Sequence, residues 1–334
     1  MEATTNIQKD TLNTCNRVVD FMKVIGMYMV ILCHTYPVTI LNILNGVNVQ
    51  LFFFISGYLV KPTTWRNLII KSTVYMLLPV TIIVMIRACI TGYGDVPMTD
   101  IIITSFKNCV LGFNGYEHGV YGLYEAWFVY TLIVLLYLYK GLGLKWFTIV
   151  TPLMVVSGIV MCYYNKSYYN SVADAVFCAP FFVGGAWVRK YSDKLGRLRD
   201  RMHIFIRIGM VAVCATLYVL LTSMNGIPRL FGNQYGNYIV LLYVDAFLGI
   251  YVIYEIACVC QRFTGPMVAK FMTLLASGNL IVLCTHYPLL MSTSGWRSMV
   301  YSAVLYAMYI PVIWLAAKYA PLFIGSRKRR NLLS

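Results

Sequence analysis

Lys23 and His34 lie in one apolar segment, NRVVDFMKVIGMYMVILCH, where ionisable side chains are uncommon. They are eleven residues apart, so they share one face of a helix, about 16 Å apart along its axis. Asp20 precedes Lys23 by one turn and can pair with it. An ionisable group within an apolar span is a functional candidate, and histidine changes charge near neutral pH. Two simpler interpretations stay open: Lys23 extends to an aqueous interface, and His34 only packs through a hydrogen bond.

A second histidine occurs near the end of another apolar segment, SGNLIVLCTHYPLL. Asn279 precedes His286 by seven residues, so the two share a helix face. Pro288 then ends or kinks that helix. A functional pair and a structural hydrogen-bonding pair both fit this pattern.

Other polar residues interrupt apolar segments singly. Glu125 opens the segment EAWFVY at an expected interface, and Trp127 there is either a site residue or an interfacial aromatic anchor. Asp245 falls in the middle of a later apolar segment. It either lines a cavity or pairs with Arg87, and the sequence does not choose between the two.

The composition identifies the elements that must carry these residues. Of 334 residues, 60% are hydrophobic and only 12% are charged, and the mean hydropathy is +0.70. A span needs about 20 mostly apolar residues, which predicts an all-α, polytopic integral membrane protein with about ten transmembrane helices. The predicted spans are 18–38, 44–60, 68–90, 123–139, 144–163, 171–188, 204–224, 237–259, 273–291 and 299–323.

Basic residues predict the orientation of these spans. Most of the 27 Lys and Arg residues fall on the side that carries the N-terminus, which predicts that both termini are cytoplasmic. We expect one membrane domain over 1–334, with a polar N-terminus at 1–16 and a basic tail at 324–334. The net charge of +15 is then a topology signal rather than a sign of nucleic-acid binding. The scattered cysteines predict neither disulfides nor a metal site.

Two further segments are expected at the membrane surfaces. In the long outer loop 91–122, Ile102, Phe106, Val110 and Phe113 recur at helical spacing. This spacing predicts an interfacial or re-entrant helix over the outer mouth. The inner segment RKYSDKLGRLRDRMH is basic, and we expect it to contact anionic lipid headgroups, with an anionic cytosolic ligand as the alternative.

Five motifs, in order along nearly the whole chain, resemble the membrane acyltransferase family that O-acylates polysaccharides and other surface glycans. The first span resembles that family's opening pattern of an acidic residue, a cation three residues later and a histidine eleven after that. The other four motifs are FFFISGYLV, EAWFVYTLIVLLY, FFVGGAWV and SGNLIVLCTHYP.

The sequence departs from the family pattern at two places. Lys23 stands where the family usually has Arg, which keeps the charge but loses the planar fork. The family's Arg-x-x-Arg near the third span is absent, and only Arg66 and Lys71 occur in that neighbourhood. We expect no esterase-like domain after the membrane part, and the resemblance is then to the stand-alone, ten-helix form.

The resemblance implies an enzyme that transfers a short acyl group, most often acetyl, from a cytosolic acyl-coenzyme A to a sugar hydroxyl. His34 would be the general base, with Asp20, Lys23 and His286 as further catalytic residues. Donor phosphates would bind at Lys23, with Arg66 and Lys71 on the same side.

Hydrogen bonds to substrate would come from Ser56, Glu125, Trp127 and Asn279, and Ser56, His286 or Asn279 could stabilise the charge that develops on the thioester carbonyl. Acyl-coenzyme A would be a substrate, with no permanently bound cofactor and no metal.

The partners implied are membrane lipid, acyl-coenzyme A and a glycan or lipid-linked sugar, in a bacterial plasma membrane. The rival class is a transporter or flippase for a glycan or small anionic solute, since buried charges and broken helices also suit a transporter. A membrane scaffold or sensor is a third class, but it would leave Lys23 and His34 unexplained.

Overall fold

The computed structural model describes residues 2–35, 40–91, 96–112, 116–117, 120–121, 127–164, 171–228, 230, 234–291 and 295–325. These residues are helical, apart from loops and a short antiparallel pair, β1 (Tyr116–Glu117) and β2 (Val120–Tyr121). The α-helices are α1 (Glu2–Thr35), α2 (Ile40–Asn45), α3 (Asn48–Leu59), α4 (Trp65–Ser72), α5 (Leu78–Thr91), α6 (Met98–Leu111), α7 (Trp127–Tyr163), α8 (Ser171–Lys190), α9 (Ser192–Arg201), α10 (Ile204–Asn225), α11 (Ile239–Phe263), α12 (Pro266–Ser277), α13 (Asn279–Thr285) and α14 (Trp296–Tyr319). A π-helical turn (Thr73–Leu77) joins α4 to α5, and short 3-10 turns occupy Tyr287–Leu289 and Pro321–Ile324.

The fold is that of a multi-pass membrane protein. Within the described residues, six helices are long and apolar enough to cross a membrane, and the bent pair α12 and α13 would make a seventh span. Within the described residues, each predicted span is mostly helical, and several spans consist of two or more consecutive helical elements. That all ten segments cross the membrane, and with which orientation, stays a prediction.

The helix α7 consists of two helices joined at Gly143, whose φ of 69° and ψ of 166° are not helical. Thr131 in the first half donates a hydrogen bond to the Ser171 carbonyl at the start of α8. In the second half, Thr148 contacts Trp187 near the end of α8, and Gly158 packs near its start. The two halves therefore run in opposite directions along α8, which matches the two separate spans predicted over 123–139 and 144–163.

α1 is the central helix of the bundle. In the apolar stretch of α1 that could cross a membrane, 67% of the residues are buried, compared with 6% in the corresponding stretch of α10. It packs against α3, α11, α12, α13 and α14. On the face predicted to carry the polar residues, Asp20 and Lys23 are half-buried among these helices, whereas His34 in the last turn is exposed.

α3 and α8 cross with their backbones in contact, and glycines of two sequence motifs make this possible. A Cβ atom added at Gly57 would lie 1.9 Å from the Phe182 carbonyl oxygen. A Cβ added at Gly185 would lie 1.9 Å from the Phe54 carbonyl oxygen. Small residues at a crossing allow such close approach in membranes, so the glycines of FFFISGYLV and FFVGGAWV are explained by packing.

The basic segment after α8 forms α9, and part of its charge is used inside the protein. Arg199 binds Glu255 of α11 through two hydrogen bonds, of 2.9 and 3.1 Å, and Arg207 of α10 binds the same carboxylate at 2.6 Å. The hydrogen bonds that Arg199 donates to the Glu255 carboxylate raise the pKa of Arg199 further. Leu195 and Leu198 are exposed on α9. The expected contact with anionic lipid headgroups stays a prediction.

Candidate functional site

His34 lies in the last turn of α1 and meets the end of the broken helix α12–α13. Its ring centroid is 5.2 Å from that of His286, and the Tyr287 ring meets it edge-on at 5.8 Å. The His34 side chain is exposed, whereas His286 is fully buried. Two histidines singled out from separate motifs are thus neighbours. We call this end of the bundle the His34 end.

The partners of His286 define its protonation. Its Nδ1 lies 2.9 Å from the Val282 carbonyl oxygen and 3.0 Å from that of Leu283. Carbonyl oxygens only accept, so Nδ1 carries the hydrogen and donates it. In the neutral ring, Nε2 then has a free lone pair. Among the described residues, this buried Nε2 has no hydrogen-bond partner.

Tyr287 and Arg87 complete the His34 end, and the sequence did not single out either as a site residue. The Arg87 guanidinium lies 5.4 Å from the centre of the Tyr287 ring, a cation–π distance. Arg87 is near the end of α5, within an apolar span. Its place inside a span was the signal that could have identified it.

Asp245 belongs to a different part of the protein. Its Oδ2 accepts a hydrogen bond of 3.4 Å from Thr222 of α10, and its carboxylate forms no ion pair with Arg87 in the described chain. The pairing of Asp245 with Arg87 that the sequence left open is therefore wrong. Asp245 is fully buried, and the other interpretation, that it lines a cavity, stays a prediction.

Asp20 and Lys23 are held by the same broken helix, further toward the start of α1. Thr273 of α12 donates a hydrogen bond of 2.9 Å to Asp20, and the Asn279 amide contacts the Lys23 carbonyl oxygen at 3.4 Å. Tyr306 of α14 donates to the Asn279 side-chain oxygen at 3.0 Å. Together with the histidine pair, these contacts show that α12 and α13 run parallel to α1.

A bend of 54° separates α12 from α13. It occurs at Gly278, where an added Cβ would lie 2.2 Å from Ile313. The bend places Asn279, the first residue of α13, beside the backbone of Lys23. His286, which follows the last residue of α13, then lies against His34. The bend between α12 and α13 therefore brings the motif SGNLIVLCTHYP against the motif of the first span.

Ser56 is not brought to the His34 end. Asn48, at the start of α3, donates to the Cys33 sulfur at 3.3 Å, and Leu51 packs near Gly26. α3 thus runs antiparallel to α1, and Ser56 is about 12 Å further along it than Asn48. Ser56 consequently lies toward the Lys23 end of the bundle.

The remaining predicted site residues lie on α4, at the start of α7, or outside the described residues. Trp127 is buried at the start of α7, with its ring 6.2 Å from Phe53. Glu125 lies outside the described residues. Arg66 and Lys71 lie on α4 with exposed side chains. Within the described chain, no three His, Cys, Asp or Glu side chains come together as metal ligands would.

The sequence comparison decides the family. A family model described as an acyltransferase domain matches residues 16–326. The chain belongs to this membrane acyltransferase family, whose members act on glycans. No curated protein and no solved structure matches the chain significantly. The match covers every residue of both ends of the site, so the acyltransferase domain contains the whole arrangement around α1.

Proposed function

We propose that this acyltransferase moves a short acyl group, most simply acetyl, from a cytosolic acyl-coenzyme A to a hydroxyl of a surface glycan or lipid-linked sugar. The bacterial plasma membrane is the location that such an acceptor requires. The observation that carries the proposal is the contact between His34 and His286 at the end of α1, the helix that also carries Lys23 about three turns earlier.

His34 is the general base in this proposal. A hydroxyl is a poor nucleophile, and a neutral imidazole can take its proton as the oxygen attacks the thioester carbonyl carbon. The carbon–sulfur bond then breaks, and the proton on His34 passes to the departing thiolate. Of the two histidines, only His34 has an exposed side chain that a substrate can reach.

His286 orients His34 rather than acting on substrate directly. Its Nδ1 is committed to backbone carbonyls, so its neutral ring offers only the Nε2 lone pair. A small rotation of His34 brings an N–H of its ring to that lone pair, which leaves the other His34 nitrogen unprotonated as the base. A neutral His286 held this way accepts at Nε2 and does not donate to an oxyanion.

Arg87 is the better candidate for stabilising the oxyanion. Negative charge develops on the thioester oxygen during attack, and a fixed cation in a site of low dielectric stabilises it strongly. Arg87 is held against Tyr287, which also contacts His34. Ser56 and Asn279 both lie closer to Lys23 than to His34, which suits them to contacts with the donor.

Lys23 is the proposed anchor for the donor phosphates. It lies about 16 Å from His34 along α1, a distance that an extended pantetheine arm can bridge. Asp20 is engaged by Thr273, which favours a role in holding α12 against α1 over a role in proton transfer. Arg66 and Lys71 supply further positive charge on α4 at the same side of the membrane.

The acceptor then approaches from the His34 end, on the opposite side of the membrane from the donor. This arrangement assigns the separated cation and imidazole to two different substrates. A transporter or flippase would also use polar groups on a central helix. It would have no need for a histidine whose lone pair is fixed beside a second, exposed histidine.

The experiment uses sealed vesicles in which the chain has one orientation. Labelled acetyl-coenzyme A supplied only on the cytoplasmic side should acylate glycan supplied only on the other side. Glycan that crosses the membrane without gaining label would identify a flippase instead. Product that forms only when both substrates share one side would contradict transfer through the membrane, while leaving His34 as base.

A further inference from the structure

The helix α6 exposes several large apolar side chains and buries a face that carries polar ones. Ile102, Ile103, Phe106 and Val110 are exposed, the first three at 38%, 64% and 53% of their surface. The opposite face is buried and consists of Ile101, Thr104, Ser105, Asn108 and Cys109. The helical spacing seen in the sequence was therefore that of the outward face, and lipid is the solvent that such a face fits.

Two residues of the buried face carry polar atoms with no hydrogen bond in the described part of the chain. Ser105 and Asn108 are each 1% exposed, and they are three residues apart on one face. The Ser105 hydroxyl and both the oxygen and the nitrogen of the Asn108 amide have no partner. Buried polar groups are nearly always paired, so three such atoms together require an explanation.

This face lies close to the end of α13. Cys109, next to Asn108, packs in one apolar cluster with Val80 and Val84 of α5 and with Cys284 of α13. Cys284 is two residues before His286, whose Nε2 is also without a partner in the described chain. Four buried polar atoms without a partner in the described chain therefore lie on α6 and directly after α13, and both helices contact α5.

We propose that Ser105 and Asn108 bind hydroxyl groups of the acceptor sugar and hold it beside His34. The proposal rests on the acyltransferase function proposed above. An amide offers two donors and an acceptor, and a serine hydroxyl offers one donor with two acceptor lone pairs. Sugar hydroxyls both donate and accept, so they match this pair, and the absence of charge on it favours a neutral ligand over an anion.

Because Ser105 and Asn108 are each 1% exposed, a sugar reaches them only when α6 moves away from α5. Neither the Ser105 hydroxyl nor the Asn108 amide is tied to a neighbouring helix by a hydrogen bond. The polar face of α6 can therefore separate from α5 without breaking a hydrogen bond of these side chains. Binding then replaces missing hydrogen bonds rather than competing with existing ones.

A structural role and a binding role predict different behaviour on substitution. If Asn108 only packed, replacing its unpartnered amide by the similarly sized leucine would change nothing but stability. Under the proposal, Asn108→Leu keeps or raises the unfolding temperature, because an unsatisfied buried amide is removed. It also weakens sugar binding, because a hydrogen-bonding partner of the ligand is lost.

The test measures binding of tritiated hexose and N-acetylhexosamine disaccharides to the purified full chain in detergent, together with label transfer from acetyl-coenzyme A. Asn108→Leu should raise the dissociation constant by about tenfold or more, the effect of losing about one good hydrogen bond. Ser105→Ala should give a smaller increase, and it serves if the leucine variant fails to fold. The matched control is Asn67→Leu on the exposed face of α4, which should bind like the wild type.

The outcomes separate the two proposals. Wild type that binds no disaccharide, or an Asn108→Leu protein that binds as tightly as Asn67→Leu, overturns the sugar-binding assignment. If Asn108→Leu binds the disaccharide as tightly as Asn67→Leu and both still transfer label, the acyltransferase proposal is not affected. Weakened binding in Asn108→Leu, in a protein that transfers no label even as wild type, supports the binding site and contradicts the acyl chemistry.

Discussion

The crossing of α3 and α8 makes a sharp stability prediction at Gly57. Gly57→Ala adds a methyl group 1.9 Å from the Phe182 carbonyl oxygen, where real Cβ contacts are essentially never under 3.0 Å. The atom in the way is backbone, so the two helices must move apart by about 1 Å. Overpacking of this kind costs typically 1–3 kcal/mol, and we expect the upper end, about 3 kcal/mol, because no side chain can rotate away.

A matched control exists on α10. Gly209 is also in a helix, and a Cβ added there would meet nothing within 4 Å. Gly209→Ala should stabilise the protein by about 0.5–1 kcal/mol through backbone entropy alone. The assay is thermal unfolding in detergent. The measured quantity is the amount of protein that remains monodisperse after heating to each temperature.

The two variants should change the unfolding temperature in opposite directions. If Gly57→Ala and Gly209→Ala unfold at the same temperature, the close crossing of α3 on α8 is not a feature of the protein in solution. The packing explanation of both glycine motifs would then be wrong as well.

Two further predictions concern charged residues. Lys23→Arg should keep substantial transfer because point charge anchors the donor, whereas Lys23→Ala should raise the KM for acyl-coenzyme A more than that for the acceptor. Equal loss in both Lys23 variants, measured by steady-state kinetics, would mean that lysine geometry rather than charge is required. Glu255→Gln should lower the free energy of unfolding by about 2 kcal/mol, because Arg199 and Arg207 then lose their common carboxylate at a partly buried site. If chemical denaturation gives Glu255→Gln the same free energy of unfolding as the wild type, these ion pairs contribute nothing to stability.

Much of the helical architecture could be predicted from the sequence because bilayer solvent makes hydropathy informative. Within the described residues each predicted span is mostly helical, and the division at Gly143 corresponds to the break between the spans predicted over 123–139 and 144–163. The shared face of Asp20, Lys23 and His34 followed from helical periodicity alone.

The meeting of the two histidines could not be predicted in the same way. It depends on the bend at Gly278 and on the parallel packing of α13 against α1, and both are tertiary features that leave no local periodicity. The resemblance to the family pointed to His34 and His286 separately. The outward direction of the apolar stripe on α6 was also hidden, since an apolar stripe at helical spacing fits a lipid-facing surface as well as a core.

The same limit explains the residues that were assigned to the wrong neighbourhood. Asp245 and Arg87 are both isolated charges in apolar spans, so pairing them was a reasonable hypothesis from sequence. The helices that carry them place one beside Thr222 and the other beside Tyr287. Which charges meet in a bundle depends on helix order around the centre, and one sequence does not contain that order explicitly.

The most direct test of the acyltransferase account is transfer of label from acetyl-coenzyme A by membranes that contain His34→Ala. The variant should insert, purify and unfold like the wild type, because the His34 side chain is exposed and fills no core position. Its transfer should fall by about 10²–10⁴-fold, the usual contribution of a general base. A folded His34→Ala protein that retains most of the wild-type transfer would contradict the role of His34 as the base.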